Sequence, residues 1–149
     1  MRMIQARRET YKGIVFDSQF ELETMKTLEK YFPLPSIKVH QPIEVRPKSN
    51  WFPSQDWKVD FTVCQDKKPV LYVESKGFIQ AEFKEKMKNL AYLKPEIFEK
   101  LVIVCPVITT VARGFVTYDL RTFNRYLTQC NLDGLVNDCK KSNINGEVE

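Results

Sequence analysis

The sequence predicts a mixed α/β fold, and two observations lead to this prediction. In the middle of the chain, apolar and polar residues alternate with the period of two that is typical of β-strands. Segments on both sides repeat apolar residues at intervals of three and four, which is typical of helices. The chain has 149 residues, of which 43% are hydrophobic, and this size and apolar content predict one globular domain.

The first predicted element is a helix over residues 18–32. Its apolar residues follow helical spacing, Ser18 is a favourable N-cap, and Pro33 ends the helix. Before this helix, residues 1–13 are predicted to form a flexible basic arm. The basic residues of this arm are Arg2, Arg7, Arg8 and Lys12.

Three strands are predicted next, and their spacing favours an antiparallel meander. Residues 37–45 alternate up to Pro47, after which a loop runs to Gln55. Residues 57–63 alternate again, and a polar turn at residues 65–68 joins them to an apolar run over residues 69–73. The last two strands therefore read as a hairpin.

The remaining elements predict a crossover to a further strand. Residues 80–93 have helical spacing, and they precede a fully apolar run over residues 101–105 that is typical of a buried strand. A last helix is predicted over residues 120–130. The domain is therefore predicted to cover residues 14–130, and residues 131–149 are predicted to be a loose C-terminal tail.

Composition narrows the possible partners and compartments. The formal net charge is +4, and residues 131–149 carry four acidic against two basic residues, so the positive excess lies in the rest of the chain and suits a polyanionic partner. The four cysteines are far apart and form no C-x-x-C pair, which argues against a zinc site and for a reducing compartment. No apolar run is long enough for a signal peptide or a membrane span, so a cytoplasmic location is expected.

Glu21 is the first candidate site residue, and it has two possible roles. It follows Ser18 by three residues, so it could be the glutamate of a capping box. On a helix, however, it shares its stripe with Met25 and Leu28, which places its carboxylate on the core-facing side. Glu23 lies on the opposite face and is the better candidate for a solvated charge.

Asp60, Glu74 and Lys76 lie on the predicted hairpin and also have ordinary alternatives. Asp60 is out of phase with its apolar neighbours, so it could be an outward polar residue. Glu74 and Lys76 share one face of their strand and could form a surface ion pair worth under about 1 kcal/mol.

The combination of these residues suggests a specific chemistry. Two or three carboxylates can hold Mg²⁺, which polarises a phosphate and activates bound water, while a nearby lysine offsets charge in the transition state. Carboxylates that converge in a basic protein make electrostatic sense when a cation joins them. Phosphodiester hydrolysis requires such a set.

Three short motifs together resemble the PD-(D/E)xK nuclease superfamily. They are F-D-S-Q-F-E at residues 16–21, V-D-F at residues 59–61 and V-E-S-K-G at residues 73–77. Within that superfamily the chain is most similar to the phage-type endonuclease I resolvases, which carry similar F-x-S-x-x-E, P-D-F and V-E-x-K-G motifs. It also resembles small phage-encoded nucleases with a comparable pattern. The resemblance covers about residues 14–105, and Val59 replaces the proline of the pattern.

The resemblance implies a restriction-endonuclease-like nuclease core with helices on both sides of the sheet. It implies that Glu21, Asp60 and Glu74 are the acidic residues of a Mg²⁺ site, with Mn²⁺ as a substitute. The Ser75 carbonyl would be a further metal ligand, and Lys76 would be the catalytic lysine. It also implies a homodimer that cuts DNA to leave 5′-phosphate and 3′-hydroxyl ends.

Other residues carry weaker signals. His40 has no cysteine or second histidine to join, so a solvated or hydrogen-bonded role is favoured over metal binding. Trp51 or Phe52 is expected to be exposed, where it could wedge into distorted DNA, whereas Trp57 is expected in the core. Candidate DNA-phosphate contacts come from the predicted arm and from the crossover helix. They are Arg7, Arg8, Lys84 and Lys88.

The function expected from the sequence is a metal-dependent DNA endonuclease that resolves Holliday junctions or other branched DNA. Two alternatives stay open. One is a sequence-specific endonuclease of the homing, restriction or transposition type, which shares the nuclease core. The other is a catalytically silent nucleic-acid-binding module, against which the set of Asp60, Glu74 and Lys76 argues.

Overall fold

A computed structural model describes residues 8–132 of the chain, with the side chains of residues 131 and 132 left out. The described part contains eight strands, four α-helices and one short 3₁₀ turn at Leu34–Ser36. In chain order they are β1 (Glu9–Tyr11), β2 (Ile14–Phe16), α1 (Gln19–Glu29), β3 (Ile37–Arg46), β4 (Gln55–Gln65), β5 (Lys68–Ser75), α2 (Ala81–Leu93), α3 (Pro95–Phe98), β6 (Leu101–Val104), β7 (Thr110–Ala112), β8 (Phe115–Val116) and α4 (Leu120–Leu132).

The central sheet has the strand order β3-β4-β5-β6, and it confirms the predicted mixed α/β architecture. Strands β3, β4 and β5 form the antiparallel meander, and β6 pairs with β5 in parallel. A parallel neighbour requires a crossover, which α2 and α3 supply. Apolar side chains cover both faces of the sheet, so the buried stretch of β5 runs without alternation from Val70 to Glu74.

Two hydrophobic clusters lie on the two sides of the sheet. The first joins α1 and α4 to the sheet through residues such as Met25, Leu28 and Phe123. The second joins α2 to the sheet through Phe83 and Met87. Helices on both sides of the sheet are thus confirmed as a feature of the fold.

Local sequence explains the ends of α1 and of the β4–β5 hairpin. Ser18 is the N-cap of α1, and its hydroxyl accepts a hydrogen bond from the Glu21 amide at 3.1 Å. The hairpin turns at Asp66 and Lys67, whose φ values are 53° and 66°. Two central residues with positive φ are typical of the type I′ turn, whose twist matches that of paired strands.

The sheet contains one feature that simple alternation did not predict. Trp57 and Val59 pack in the cluster on the α2 side, whereas Phe61 and Val63 pack in the cluster on the α1 side. All four residues have the same phase along β4, so the strand changes the face that it buries between Val59 and Phe61. Asp60 lies at this change of face.

The N-terminal arm is a correction to the sequence analysis. Residues 1–13 were predicted to be flexible, but β1 and β2 form an antiparallel hairpin that starts at Glu9. The Tyr11 hydroxyl donates a hydrogen bond of 2.7 Å to Glu29 on α1, and this contact ties the hairpin to the helix. Arg2 and Arg7 lie outside the described residues.

The C-terminal part also adds elements to the prediction. The predicted last helix is confirmed as α4, whereas the short helix α3 and the β7–β8 hairpin were not predicted. The predicted tail begins at residue 131, but α4 continues to Leu132, and residues 133–149 lie outside the described part. Within residues 8–132, no helix combines the length and the apolar character needed to cross a membrane.

We expect α4 to be essential to stability through Phe123, which is fully buried against α1 and the sheet. The substitution Phe123→Ala should lower the free energy of unfolding by about 3–5 kcal/mol, because it removes a large buried ring and leaves a cavity. The side chain of Phe52 is 63% exposed, so Phe52→Ala should change the free energy of unfolding by no more than about 0.5 kcal/mol. Urea denaturation of both variants measures the difference, and equal losses would contradict the packing of α4.

Candidate functional site

The structure brings together all four residues that the sequence motifs singled out. Glu21 lies in the first turn of α1, Asp60 in the middle of β4, Glu74 near the end of β5, and Lys76 just after β5. The Asp60 carboxyl group interacts electrostatically with the carboxyl groups of both Glu21 and Glu74. The Lys76 ammonium lies 3.5 Å from Glu74 Oε2.

Glu74 is buried, and its carboxylate is held by three groups. Its Oε1 accepts hydrogen bonds from the Asp60 amide at 3.1 Å and from Trp57 Nε1 at 3.2 Å. Its Oε2 faces Lys76. Burial raises the pKa of Glu74 to about 7, although Lys76 and the two hydrogen bonds act in the opposite direction.

Asp60 is half-buried and is oriented by Ser75. Its Oδ2 accepts hydrogen bonds from the Ser75 amide at 2.8 Å and from the Ser75 hydroxyl at 2.9 Å. Burial raises the pKa of Asp60 to about 9, and the carboxyl groups of Glu74 and Glu21 add to the rise. Asp60 is therefore not the outward, solvated residue that its phase on the strand allowed.

Glu21 faces the cluster and also reaches back past the N-cap, to the amide of the residue before Ser18. Its Oε1 accepts a hydrogen bond of 2.8 Å from the Asp17 amide at the start of α1, so the side chain does reach back to the helix N-terminus. Its Oε2 lies 3.0 Å from His40 Nε2, and the carboxyl group also interacts electrostatically with that of Asp60. The buried carboxylate thus belongs to the cluster as well as to the helix start.

Lys76 and Ser75 each contact one acidic residue of the cluster. The Lys76 ammonium lies 4.6 Å from the centre of the Phe83 ring, which fixes its side chain between α2 and Glu74. Ser75 orients Asp60 through its amide and hydroxyl groups. The Ser75 carbonyl as a metal ligand stays a prediction.

Three residues near the cluster were missed or underrated by the sequence analysis. Trp57 was expected to be a core residue, and it is buried, but its indole also binds Glu74. His40 and Asp17 lie beside Glu21, and one ligand atom from each of the three residues lies within 4.8 Å of the others. The sequence alone gave no signal for His40, because its place opposite Asp60 follows from the register of β3 and β4, in which Val39 pairs with Phe61 and Gln41 with Val59.

The predicted DNA-contacting residues are spread around the cluster. Lys84 lines a cavity of about 380 Å³ that also borders Gly77 and Phe78, just after the E-x-K strand. Lys88 is exposed on α2. Arg8 Nε lies 3.8 Å from Asp17 Oδ1. Arg7 lies outside the described residues. DNA binding by these residues stays a prediction.

The cluster offers ligand atoms of the type that hard divalent cations prefer. Within residues 8–132, however, the one group of three such side chains whose ligand atoms all lie within 4.8 Å of one another is Asp17, Glu21 and His40. Carboxylate oxygens are the ligands that Mg²⁺ and Mn²⁺ prefer, and Glu21, Asp60 and Glu74 supply them from three different elements. The neighbouring carboxyl groups of Glu74 and Glu21 both add to the raised pKa of Asp60. A cation among the carboxylates would offset their mutual repulsion.

Comparison with protein-family models, with curated proteins and with solved structures found no match to this chain.

We expect the stability of the metal-free protein to fall as pH rises. Asp60 and Glu74 bind protons more tightly in the folded chain than in the unfolded chain, where such groups have pKa values of about 4. Their stabilising contribution is therefore complete below about pH 4 and is lost as pH rises through about 7 for Glu74 and about 9 for Asp60. Urea unfolding in EDTA, at several pH values between about 5 and 9, measures this slope.

The substitution Asp60→Asn should make that slope shallower, because it removes the group with the largest shift. Asp56→Asn is the matched control, since Asp56 lies on the same strand and is exposed. It should keep the slope of the wild type. Identical slopes for all three proteins would contradict the burial of a proton-binding Asp60.

Proposed function

We propose that this protein is a metal-dependent DNA endonuclease that hydrolyses phosphodiester bonds. The observation that carries the proposal is the convergence of Glu21, Asp60 and Glu74 beside Lys76, at the positions where the family resemblance expects a metal site. Three carboxyl groups from separate elements, largely withdrawn from water, are costly to assemble for stability alone. Catalysis offers a reason for their retention.

Each residue has a role that its surroundings support. Glu21, Asp60 and Glu74 would hold the Mg²⁺ ion, which supplies Lewis acidity toward the phosphate and lowers the pKa of a bound water. Lys76 carries a positive charge next to the carboxylates, and from there it can orient the attacking water or offset charge in the transition state. Trp57 and Ser75 orient Glu74 and Asp60.

The charge of the protein supports DNA as the substrate. The net charge of +4 favours a polyanion, although the candidate site itself is acidic. Arg8 and Lys58 border one cavity near the cluster, and Lys84 borders another. Phosphates that approach the carboxylates from either side would therefore meet basic side chains first.

The topology also supports membership of the PD-(D/E)xK superfamily and its restriction-endonuclease-like core. A helix that carries a glutamate precedes an antiparallel meander, and a crossover helix then leads to a parallel strand. The acidic residues lie on the two central strands of that sheet and on the preceding helix. This is the placement that the motif resemblance implies.

Branched DNA is the substrate that we propose, with Holliday junctions as the main candidate. The similarity to endonuclease I resolvases favours it. Trp51 and Phe52, which are 86% and 63% exposed between β3 and β4, could stack on bases at a distorted site. Resolution needs two cuts, and residues 8–132 contain one cluster of this kind, so we expect a homodimer.

Substitution of the carboxylates should abolish cleavage without unfolding the protein. Asp60→Asn, Glu74→Gln and Glu21→Gln keep acceptor oxygens for the local hydrogen bonds but remove charge from the metal site. We expect cleavage to fall by about 10²–10³-fold in each, since such a site contributes several kcal/mol to the transition state. Asp56→Asn and Glu23→Gln, at exposed positions on the same elements, should retain activity.

The measurement is cleavage of a labelled four-way junction and of supercoiled plasmid in Mg²⁺ or in EDTA, alongside calorimetric titration with Mn²⁺. Unchanged Mn²⁺ affinity in Asp60→Asn and Glu74→Gln would contradict the metal site. If only Glu21→Gln were fully active, Glu21 would return to a purely helix-capping role.

Binding should depend on DNA shape and on salt. Junctions of unrelated sequence should bind within a few-fold of each other and more tightly than linear duplex, with affinity falling steeply as salt rises because lysine and arginine displace counterions. Gel-shift titrations with two junctions and a duplex mixture measure this, with Lys84→Ala and Lys88→Ala tested for weaker binding to every substrate. Tight selection of one linear sequence would instead support the homing, restriction or transposition class.

A further inference from the structure

His40 is placed beside the carboxylate cluster by an unusual backbone conformation. Its φ is 55°, in the left-handed region, although it lies within strand β3. A residue other than glycine costs energy there, and such positions are concentrated at functional sites. The neighbouring pairs Val39 with Phe61 and Gln41 with Val59 place His40 opposite Asp60.

The imidazole of His40 contacts the Glu21 carboxylate oxygen that does not bind the Asp17 amide. Glu21 Oε1 is engaged by the Asp17 amide, whereas Oε2 lies 3.0 Å from His40 Nε2. Ligand atoms of Asp17, Glu21 and His40 lie within 4.8 Å of one another. One histidine nitrogen and two carboxylates of this spacing form a ligand set for a divalent ion.

This group of residues has its own access from the surface. Asp17 and His40 line a cavity of about 350 Å³, together with Val15, Arg8 and Lys58. An ion could enter through this cavity. A phosphate that followed the ion would meet the positively charged side chains of Arg8 and Lys58 at the cavity wall.

We propose that Asp17, Glu21 and His40 form a second metal site, and that Glu21 bridges it to the site of Asp60 and Glu74. The inference rests on the proposed function for the first site. Glu21 Oε2 lies 3.0 Å from His40 Nε2, and the Glu21 carboxyl group interacts electrostatically with that of Asp60, so one side chain faces both groups. Two ions that share a carboxylate can hold the attacking and leaving oxygens of one phosphate.

The donor atoms give the two sites different preferences. Asp60 and Glu74 offer only oxygen, which suits Mg²⁺. The second site includes an imidazole nitrogen, which suits first-row transition ions, so it should take Mn²⁺ in preference to Mg²⁺.

The test is the number of Mn²⁺ ions bound by the metal-free protein, measured by calorimetry and by electron paramagnetic resonance. The wild type should bind two ions, and their spectrum should show the coupling of a close pair. His40→Asn and Asp17→Asn should weaken binding of the second ion at least about tenfold and remove the coupling. Asn is tolerated at positive φ, so His40→Asn preserves the backbone of β3.

The controls separate this inference from the proposed function. Asp56→Asn, on an exposed side chain, should bind two ions as the wild type does. One ion in the wild type, or two coupled ions in both His40→Asn and Asp17→Asn, would overturn the second site, while Asp60-dependent cleavage in Mg²⁺ would still support the nuclease. Loss of the second ion in those variants, with full cleavage by Asp60→Asn, would instead support the second site and contradict the proposed function.

Discussion

The arrangement of the candidate site depends on a reciprocal pair of contacts between β4 and β5. The Asp60 amide donates a hydrogen bond to the Glu74 carboxylate, and the Ser75 amide donates one to the Asp60 carboxyl group. Each acidic side chain therefore holds the backbone of the other strand. Burying an ionised carboxylate costs several kcal/mol unless hydrogen bonds compensate, and these two contacts supply part of that compensation.

Hydrogen bonds and Lys76 compensate only part of the cost of burying the carboxyl groups of the cluster. Glu74 gains Trp57 and Lys76, but Asp60 also faces Glu21, and burial together with the two neighbouring carboxyl groups raises the pKa of Asp60. In the proposed function, a bound cation would offset this repulsion. Proteins accept such a loss of stability where function requires it.

The main elements of the fold followed from local pattern and could be predicted. Helical spacing with Ser18 as N-cap located α1, period-two alternation located β3 and β4, and the apolar run after a polar turn located β5. The β1–β2 hairpin could not be predicted, because its strands have three residues each and depend on contacts such as the one between Tyr11 and Glu29. Short strands carry too little pattern to be separated from a loop.

The sequence by itself determined which chemistry is available: three carboxylates and a lysine, on a helix and a hairpin, in a basic chain. Only the tertiary structure decided that Asp60 is half-buried beside Glu74 and that His40 lies beside Glu21. The physical reason is the change of face in β4 between Val59 and Phe61. Strand periodicity assigns faces on the assumption of a regular strand, whereas that change depends on packing between elements that are distant in the chain.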